Sequence, residues 1–366
     1  MERTNHLASW QKYSFTLEEK TFSADKCRKG LFDFNNETYH DLKLFLEDWF
    51  NDSPTLIVHT SGSTGTPKKL EVKKEQMMNS ARLTCKVLNL NENDKALLCM
   101  PLQYIAGKMV VVRALVAGLD LIYRKPTGHP LQDVDKHLHF AAMVPLQVYN
   151  SLSIPEEARK LEKIDKLIIG GGAIDQELLE QLSSFGNEIY STYGMTETLS
   201  HIALRRLNGD SASDNYQPFP TVTVSVSDEQ TLIIKAPQVC DEVLKTNDVV
   251  KIYSDGTFQI LGRKDNIINS GGIKIQTESV ENTLRSVIYV NFALTAVPHP
   301  KFGEALVLLV EKGDMNLDSL QESVQKVLPK IQWPKQICLV ESIPLTGTGK
   351  INRKECRELA KTLVHY

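Results

Sequence analysis

The chain has 366 residues, 42% of them hydrophobic and 24% charged, which is typical of a soluble protein long enough for two domains. Lys plus Arg number 42 against 45 Asp plus Glu, so the net charge of −3 gives no electrostatic basis for binding nucleic acid or an anionic membrane. The six cysteines form no CxxC pair, the first residues predict no secretory signal, and no segment approaches the ~20 apolar residues of a membrane helix. We therefore expect a cytoplasmic protein without disulfides, a zinc site or membrane insertion.

Short apolar runs alternate with amphipathic stretches from about residue 55. Thr55–His59 is predicted to be a buried strand, followed by a loop and a helical segment that carries Met77, Met78 and Ala81. Further strands are predicted at Lys95–Met100, Asp120–Tyr123, Phe140–Val144, Lys166–Ile169 and Glu188–Ser191, with helices at Lys108–Val116 and Gln176–Leu182. This alternation predicts an α/β domain with a mostly parallel sheet.

The pattern changes after about residue 220. Two hairpins are predicted, one with its turn at Ser227–Gln230 and one with its turn at Ser254–Gly256, so this region is expected to be an antiparallel β subdomain. A mixture of helices and strands follows Arg263. We therefore predict an N-terminal domain at 1–263, which includes the β subdomain at about 215–263, and a small α+β domain at 264–366.

A loop rich in glycine and hydroxyl groups follows the first predicted strand. It consists of Thr60, Ser61, Gly62, Ser63, Thr64, Gly65, Thr66, Pro67 and Lys68. Its glycines allow a tight turn that brings N–H groups close to an anion, and Lys68 adds a positive charge. It is not a Walker A loop, because Pro67 stands where that motif requires glycine. By itself it could equally be a flexible surface loop.

Four further segments occur with this loop. They are Gly170–Ala173, Tyr193–Glu197, Gly262–Asn266 continuing to Gly271, Gly272 and Glu278, and Pro344–Arg353. In this order they resemble the adenine-bordering turn, the Y-G-x-T-E motif, the hinge motif and the C-terminal lysine loop of the adenylate-forming superfamily. That superfamily contains acyl-CoA synthetases, peptide-synthetase adenylation domains and luciferases. The resemblance covers residues 55 to 352.

The resemblance implies a site for ATP and Mg²⁺. The Thr60–Lys68 loop would hold the β- and γ-phosphates, and Thr196 would contact the α-phosphate. The residues implied beside the adenine are Gly170, Gly171, Gly172 and Tyr193. Glu197 would hold Mg²⁺, which prefers hard oxygen ligands. Asp248 and Arg263 would hydrogen-bond the ribose hydroxyls.

One departure from the family pattern lies beside the ribose residues. The family usually has T-G-D where this chain has Thr246-Asn247-Asp248. Because Asn tolerates a positive φ better than other residues with a side chain, we expect the turn, and the role of Asp248, to be retained.

Lys350 is the implied catalytic residue. Attack of a carboxylate on the α-phosphate places negative charge on non-bridging oxygens, which a positioned ammonium stabilises. Asp265 matches the hinge position, so the C-terminal domain is expected to be a mobile lid that delivers and withdraws Lys350.

Met100–Gly107 and Ala142–Gln147 resemble segments of the o-succinylbenzoate–CoA ligases of menaquinone biosynthesis. The resemblance implies a small carboxylic acid, o-succinylbenzoate, and CoA as substrates and o-succinylbenzoyl-CoA as product. The candidate acyl-pocket residues are Tyr104, Gly107, Lys108, Met195 and His201. A second carboxylate would need a cationic or hydroxyl partner, for which Lys108, His201 and Arg205 are candidates.

Three alternatives remain open: a ligase for another aromatic or short-chain acid, a stand-alone adenylation enzyme that loads a carrier protein, and a nucleotide sensor. Asp318-Ser319-Leu320 is similar to the D-S-L of carrier domains, but we expect Asp318 or Ser319 to cap a helix instead. A homodimer is the default expectation for a soluble enzyme.

Overall fold

A computed structural model describes residues 7–34, 37–59, 69–172, 174–313, 316–346 and 351–365. The described residues divide into two compact units. The first consists of the residues up to Ile174, Leu178–Thr223 and Lys235–Val243, and the second of Asp175–Glu177, Val224–Ile234 and the residues from Leu244 on.

The elements up to the end of the large sheet, in chain order, are β1 (Phe15–Leu17), β2 (Lys20–Phe22), α1 (Ala24–Arg28), α2 (His40–Phe50), β3 (Thr55–His59), β4 (Lys69–Lys73), α3 (Lys74–Val87), β5 (Lys95–Leu98), α4 (Ile105–Ala117), β6 (Asp120–Tyr123), β7 (Phe140–Met143), α5 (Pro145–Leu152), α6 (Pro155–Glu162), β8 (Lys166–Ile169), α7 (Gln176–Ser183), β9 (Glu188–Gly194), β10 (His201–Arg206) and β11 (Gln217–Pro218).

A nine-stranded sheet forms the centre of the first unit, in the order β11-β10-β9-β8-β7-β5-β6-β1-β2. The pairs that join β5 to β9, and the pair of β1 with β6, are parallel, whereas β1–β2, β9–β10 and β10–β11 are antiparallel. Strands β6 and β7 are buried along their whole length, and the four residues of β7 are all apolar, as expected for a strand covered on both faces. The predicted α/β class with a mostly parallel sheet is confirmed.

Helix α4 is buried on nearly all sides. Its residues from Met109 to Leu115 are buried, and it packs against α3 and the sheet. A helix in this environment is apolar all round rather than amphipathic. Gly118, with φ +68°, ends it in the left-handed conformation that favours glycine.

Strand β3 lies in a two-stranded antiparallel hairpin with β4 rather than in the parallel sheet. Thr55 pairs with Lys73 and His59 with Lys69, so the Thr60–Lys68 segment connects the two strands of the hairpin. The Thr60–Lys68 residues themselves lie outside the described residues. Our sequence analysis predicted β3 but missed β4.

The remaining elements, in chain order, are β12 (Thr223–Val226), β13 (Thr231–Lys235), β14 (Leu244–Ile252), β15 (Phe258–Arg263), β16 (Ile267–Ser270), β17 (Ile273–Gln276), α8 (Thr277–Leu284), β18 (Phe292–His299), β19 (Gly303–Glu311), α9 (Leu317–Val327), β20 (Gln336–Val340) and α10 (Arg353–Leu363).

Two sheets organise these elements. Strands β12-β13-β14-β15 form one sheet, in which β13–β14 and β14–β15 are antiparallel, and the β14–β15 pair is the hairpin predicted at Ser254–Gly256. The second has the order β17-β16-β19-β18, with β20 parallel to β19. Helix α9 begins at an Asn316 cap, whose side chain accepts a hydrogen bond from Asp318 N at 2.8 Å. The expectation that Asp318 or Ser319 caps this helix was therefore wrong.

Strands β14 and most of β13 belong to the same compact unit as the residues after Arg263. The predicted boundary at residue 263 separates the domains that are expected to rotate against each other. It stays a prediction.

Candidate active site

The strand order of the large sheet reverses at β5. The chain leaves β5 for β6 on one side and returns to β7 on the other. In open sheets of this type, ligands bind outside the carboxyl ends of the strands at such a switch point. The segments Met100–Gly107 and Ala142–Gln147 leave the sheet at the carboxyl ends of β5 and β7, so the switch point brings the two together.

Gln147, the last residue of the second segment, connects it to Cys99, which directly precedes the first segment. Its buried amide donates from Nε2 to the carbonyl oxygens of Cys99 at 3.1 Å and Thr127 at 3.0 Å, and its Oε1 accepts from Val144 N at 3.2 Å. All three partners are backbone groups, which need a hydrogen-bond partner when they are buried. Gln147 is therefore a structural clamp for the candidate acyl-pocket segments.

The predicted adenine segments are also neighbours. Gly170, which follows β8, donates its N–H to Met143 O at 3.0 Å, and β8 pairs with β9, which carries Tyr193. Tyr193 is 8% exposed, and its ring lies 5.8 Å from the ring of Tyr216. Sequence reasoning missed Tyr216, whose hydroxyl is hydrogen-bonded to Ser191 Oγ at 2.8 Å. Gly171 and Gly172 continue the turn after Gly170.

The chain turns sharply after the tyrosine of the Y-G-x-T-E motif. A Cβ at Gly194 would lie 2.2 Å from Ser200 O, so only glycine fits there. Thr198 Oγ1 accepts from Met195 N at 3.0 Å and lies 2.8 Å from Ser200 O, to which it donates. Leu199 has φ +64°, an unfavourable value for a residue with a side chain. The turn is thus held by internal hydrogen bonds in a strained conformation, as is common at functional sites.

Thr196 and Glu197 lie on this turn, in a short 3-10 helix that ends at Thr198. Thr196 is half-buried and Glu197 is exposed. Within the described residues, the Glu197 carboxylate makes no hydrogen bond or ion pair that would occupy its oxygens. Mg²⁺ prefers hard oxygen ligands, and a carboxylate on a turn that is held by internal hydrogen bonds can serve as one.

His137, His139 and Asp165 form the one cluster of metal-ligand type in the described part of the chain. Nδ1 of His139 accepts a hydrogen bond from Lys95 N at 2.9 Å, so Nε2 of the neutral ring carries the proton and has no lone pair for a metal. His137 Nε2 lies 3.0 Å from Asp165 Oδ1, so these two groups are already within hydrogen-bond distance of each other. The cluster does not present three free ligands.

Three of the candidate acyl-pocket residues lie at the start of α4. Tyr104 precedes its first turn, and Gly107 is required there because a Cβ would lie 2.5 Å from Pro101 O. The Lys108 ammonium lies 4.8 Å from the centre of the Phe45 ring, and burial lowers the pKa of Lys108. Lys108 is therefore engaged with α2 in this structure.

A buried chain of hydrogen bonds connects α4 to the Y-G-x-T-E turn. Arg113 donates from Nη2 to Ser200 Oγ at 2.6 Å, and Ser200 Oγ lies 3.2 Å from His201 Nδ1. His201 Nε2 lies 3.1 Å from Thr84 Oγ1, which donates to Ser80 O at 3.2 Å. Since Thr84 gives its proton to a carbonyl, it accepts from Nε2–H. Nδ1 of the neutral ring then accepts from Ser200.

Burial, together with the nearby Arg113 charge, lowers the pKa of His201 well below its ordinary range, which agrees with this tautomer. His201 was a candidate partner for a second substrate carboxylate, but a buried neutral ring cannot supply a positive charge. Arg205, another of the three candidates, lies 3.6 Å from Asp214. Sequence reasoning missed Arg113, although a single charge in the apolar run Met109–Leu115 was a signal.

The second unit holds the predicted ribose and hinge residues. Asp248 and Arg263 are register partners on β14 and β15, and Arg263 Nη1 donates to Asp248 Oδ1 at 3.0 Å. Arg263 Nη2 also donates to Asp265 Oδ2 at 2.9 Å. The second unit therefore brings all three residues together.

The expectation that Asn247 forms a turn was wrong. Asn247 lies within β14 and is absent from the positive-φ residues of the described chain, so it does not form the expected turn. Its side-chain amide donates to both Asp265 oxygens, at 3.2 and 3.1 Å. A glycine at this position could not make that contact, so the departure from T-G-D connects β14 to the predicted hinge.

Gly347–Lys350 lies outside the described residues, as does the Thr60–Lys68 loop. The flanks of the lysine segment are held together. Leu345 and Ile351 form an antiparallel bridge, and Asn352 N donates to Pro344 O at 2.8 Å. The chain enters and leaves the segment at one place, immediately before α10.

Among the helices that the structure describes, none is both long and apolar enough to cross a membrane.

Comparison with known proteins places these features in a family. The model of the AMP-binding enzyme family matches residues 7–244, and that of the AMP-binding enzyme C-terminal domain matches residues 279–350. A 2-succinylbenzoate–CoA ligase of Lactococcus lactis is 24% identical over 85% of this chain and 72% of the relative.

Two solved structures are similar. An acyl-CoA synthetase (AMP-forming)/AMP-acid ligase II-like protein of Dyadobacter fermentans is 32% identical with a TM-score of 0.63, over 92% of this chain and 97% of that one. The O-succinylbenzoate coenzyme A synthetase of Bacillus subtilis, in complex with ATP and magnesium ion, is 21% identical with a TM-score of 0.70, over 82% of this chain and 69% of that one. At this identity the similarity supports the fold alone. The chain belongs to the AMP-binding enzyme family.

Proposed function

We propose that this enzyme is an ATP-dependent acid–thiol ligase that converts 2-succinylbenzoate and CoA into 2-succinylbenzoyl-CoA, with AMP and pyrophosphate as the other products. The printed names of its relatives and its family membership support this activity. Two half-reactions are required. A carboxylate oxygen of the acid first bonds to the α-phosphorus of ATP as pyrophosphate leaves. The CoA sulfur then bonds to the acyl carbon as AMP leaves, and the thiol proton is lost.

The observation that carries the proposal is the arrangement at the switch point. The two segments that resemble the 2-succinylbenzoate ligases leave adjacent strands and are clamped by Gln147. The next strands in the sheet, β8 and β9, lead to Gly170 and Tyr193. Acid-related and nucleotide-related segments therefore share one edge of one sheet, as a reaction between an acid and ATP requires.

Each predicted residue has a distinct part in this chemistry. The Thr60–Lys68 loop retains the departing pyrophosphate, and Thr196 hydrogen-bonds the α-phosphate. Asp248 and Arg263 orient the ribose. Lys350 stabilises the charge on the non-bridging oxygens during attack. Glu197 would hold Mg²⁺, which neutralises phosphate charge when bound.

The test is a pyrophosphate-release assay with purified enzyme, ATP and a panel of carboxylic acids, with and without CoA. We expect release with 2-succinylbenzoate, and a thioester of the matching mass when CoA is present. Activity with another acid and none with 2-succinylbenzoate would overturn the substrate. Release without any CoA thioester would favour the alternative of a carrier-protein acceptor.

A further inference from the structure

Tyr216 lies against the tyrosine that is predicted to contact the adenine. The centres of the Tyr216 and Tyr193 rings are 5.8 Å apart, with an angle of 58° between the ring planes. Aromatic pairs prefer such an inclined arrangement over a face-to-face stack. Tyr193 is 8% exposed, so its ring has little room to move while Tyr216 is in place.

Tyr216 is itself held at three points. Its hydroxyl is hydrogen-bonded to Ser191 Oγ at 2.8 Å, and Ser191 is buried. Its backbone directly precedes β11, which pairs with β10 through Gln217 and Pro218. The guanidinium carbon of Arg205 lies 5.5 Å from the centre of the Tyr216 ring. Because the hydroxyl, the backbone and the ring face are all in contact, the ring cannot turn without breaking one of these contacts.

The sheet register places the groups around Tyr216 on one face. Side chains at alternate positions of a strand point to the same face, so Ser191 and Tyr193 share one face of β9. Arg205 on β10 is the register partner of Ser191, and directly opposite residues also point to the same face. Tyr216 therefore contacts three side chains that project from one face of the sheet.

Arg205 faces the Tyr216 ring rather than a close carboxylate. Its Nη1 lies 3.6 Å from Asp214 Oδ1, beyond hydrogen-bond distance, and the Asp214 side chain is 79% exposed. The Nε of Arg205 is buried and has no hydrogen-bond partner in the described part of the chain. The attraction of a guanidinium to an aromatic ring is stronger when the cation is removed from water. Arg205 therefore stabilises the position of Tyr216.

We propose that Tyr216 is a positioning residue for the adenine of ATP and acts through Tyr193. Because Tyr216 fixes the Tyr193 ring before the nucleotide binds, binding does not have to order that ring and loses less entropy. Arg205 contributes by holding Tyr216 in place. This inference rests on the nucleotide site of the proposed function, and it applies to whichever acid the enzyme activates.

The test measures the affinity of two ligands by calorimetry, without any acid. AMP carries the adenine, whereas inorganic tripolyphosphate carries only a phosphate chain. Tyr216→Leu removes the ring and keeps an apolar side chain, so it should weaken AMP binding by about tenfold. Tripolyphosphate binding should stay unchanged. A variant whose site is generally loosened would instead bind both ligands less well.

Two further variants separate the contacts of Tyr216. Tyr216→Phe keeps the ring and loses only the hydrogen bond to Ser191, so it should retain most of the AMP affinity that Tyr216→Leu loses. Arg205→Met removes the guanidinium from the ring face and should weaken AMP binding by about threefold. In pyrophosphate-release assays with an active acid, Tyr216→Leu and Arg205→Met should raise the KM for ATP and leave the KM for the acid unchanged.

Tyr190 and Arg206 provide a matched control on the opposite face of the same two strands. They are register partners, and the Arg206 guanidinium carbon lies 5.1 Å from the centre of the Tyr190 ring. Tyr190 is half-buried, as Tyr216 is. Tyr190→Leu therefore removes a similar ring with a similar cation contact, and it should leave the AMP affinity unchanged.

Wild-type AMP affinity in Tyr216→Leu would overturn the inference, as would equal weakening of AMP and tripolyphosphate binding or an equal loss of AMP affinity in Tyr190→Leu. Failure of the proposed function gives a different result. If no acid releases pyrophosphate but Tyr216→Leu weakens AMP binding alone, the ligase activity fails and the role of Tyr216 stands. If an acid is activated and Tyr216→Leu has the wild-type KM for ATP, the reverse holds.

Discussion

Lys74 is a lysine with no exposed surface, at the first position of the helix that follows the β3–β4 hairpin. Its ammonium donates to Asn51 Oδ1 at 2.8 Å and lies 5.5 Å from the centre of the Trp10 ring. Burial lowers its pKa from 10.5 to about 8. The residue that directly follows the β3–β4 hairpin thus has an ammonium group that is costly to keep charged in its buried position.

This residue predicts a pH dependence of stability. Between about pH 8 and 10.5, the unfolded chain holds the Lys74 proton and the folded chain has released it, so the contribution of Lys74 to the free energy of unfolding rises with pH. Urea unfolding of wild type and Lys74→Met at pH 8, 9 and 10 checks this. The free energy of unfolding of wild type, relative to that of Lys74→Met, should increase as the pH rises. Lys86→Met, an exposed change on the same helix, should show no such trend.

Lys350 supplies the second prediction. Lys350→Ala should decrease acid-dependent ATP–pyrophosphate exchange by about 100-fold or more, because the positive charge near the developing negative charge is lost. The same variant should still convert supplied acyl-adenylate and CoA into thioester. Lys354→Ala, an exposed change on the first turn of α10, serves as the control. Exchange near the wild-type rate in Lys350→Ala would rule out the catalytic role.

Motif residues could be predicted from the sequence because their identity and spacing carry the information. Gly194 is one case, since a tight turn that excludes Cβ leaves glycine as the only choice. The Arg113–Ser200 contact could not be predicted, because 87 residues separate its partners and neither belongs to a motif. The apolar sequence around Arg113 predicted burial of the helix but not what its charge would contact.

At the level of elements, the ion pair between Arg353 and Glu281 holds the start of α10 against α8. Arg353 donates to the two Glu281 oxygens at 2.6 and 2.7 Å, and Glu281 also accepts from Leu294 N at 2.8 Å. Asn352, the N-cap of α10, accepts from Glu355 N at 3.3 Å. These contacts hold α8, β18 and α10 together directly after the Lys350 segment.

The third prediction follows from this ion pair. Arg353→Met leaves Glu281 buried and unpaired, so it should lower the free energy of unfolding by about 3–5 kcal/mol. Replacing both partners with methionine should cost less than the single change, because no charge is then left unpaired. Urea titrations of the two variants measure this. A double variant less stable than Arg353→Met would contradict the explanation.

Periodicity predicted most of the elements well. The strands Asp120–Tyr123, Lys166–Ile169 and Gln336–Val340 are confirmed at both ends, since each is a short apolar run with clear polar boundaries. Strand β4 was missed because Lys69–Lys73 has two apolar residues and only one that is buried. Its strand character depends on pairing with β3, which no local pattern shows.

For the whole molecule, two half-reactions and one catalytic lysine imply a change of domain orientation, which we propose to occur at Asp265. In this structure Asp265 lies in a short 3-10 helix, with its carboxylate bonded to Arg263 and Asn247. A rotation at this residue must break or rebuild those contacts. The same arginine is predicted to bind the ribose, so nucleotide release and rotation would affect each other.

Asp265→Pro provides the fourth prediction, because proline fixes φ near −65° and removes freedom at the hinge. We expect one half-reaction to decrease by at least about tenfold and the other to stay close to wild type, when exchange and thioester formation from supplied adenylate are measured separately. Asp265→Ala, which loses the carboxylate but keeps backbone freedom, is the appropriate control.

An equal loss of both half-reactions in Asp265→Pro, with Asp265→Ala unaffected, would place the rotation elsewhere in the chain.

The neutral tautomer of His201 has a consequence for how the enzyme senses its surroundings. Arg113 keeps its proton throughout the physiological pH range, and burial together with the nearby Arg113 charge keeps His201 from gaining one. The relay between α4 and the Y-G-x-T-E turn therefore has a constant charge. A fall in the surrounding pH would therefore act on such an enzyme through other titratable groups, while the charge between α4 and the Y-G-x-T-E turn stays the same.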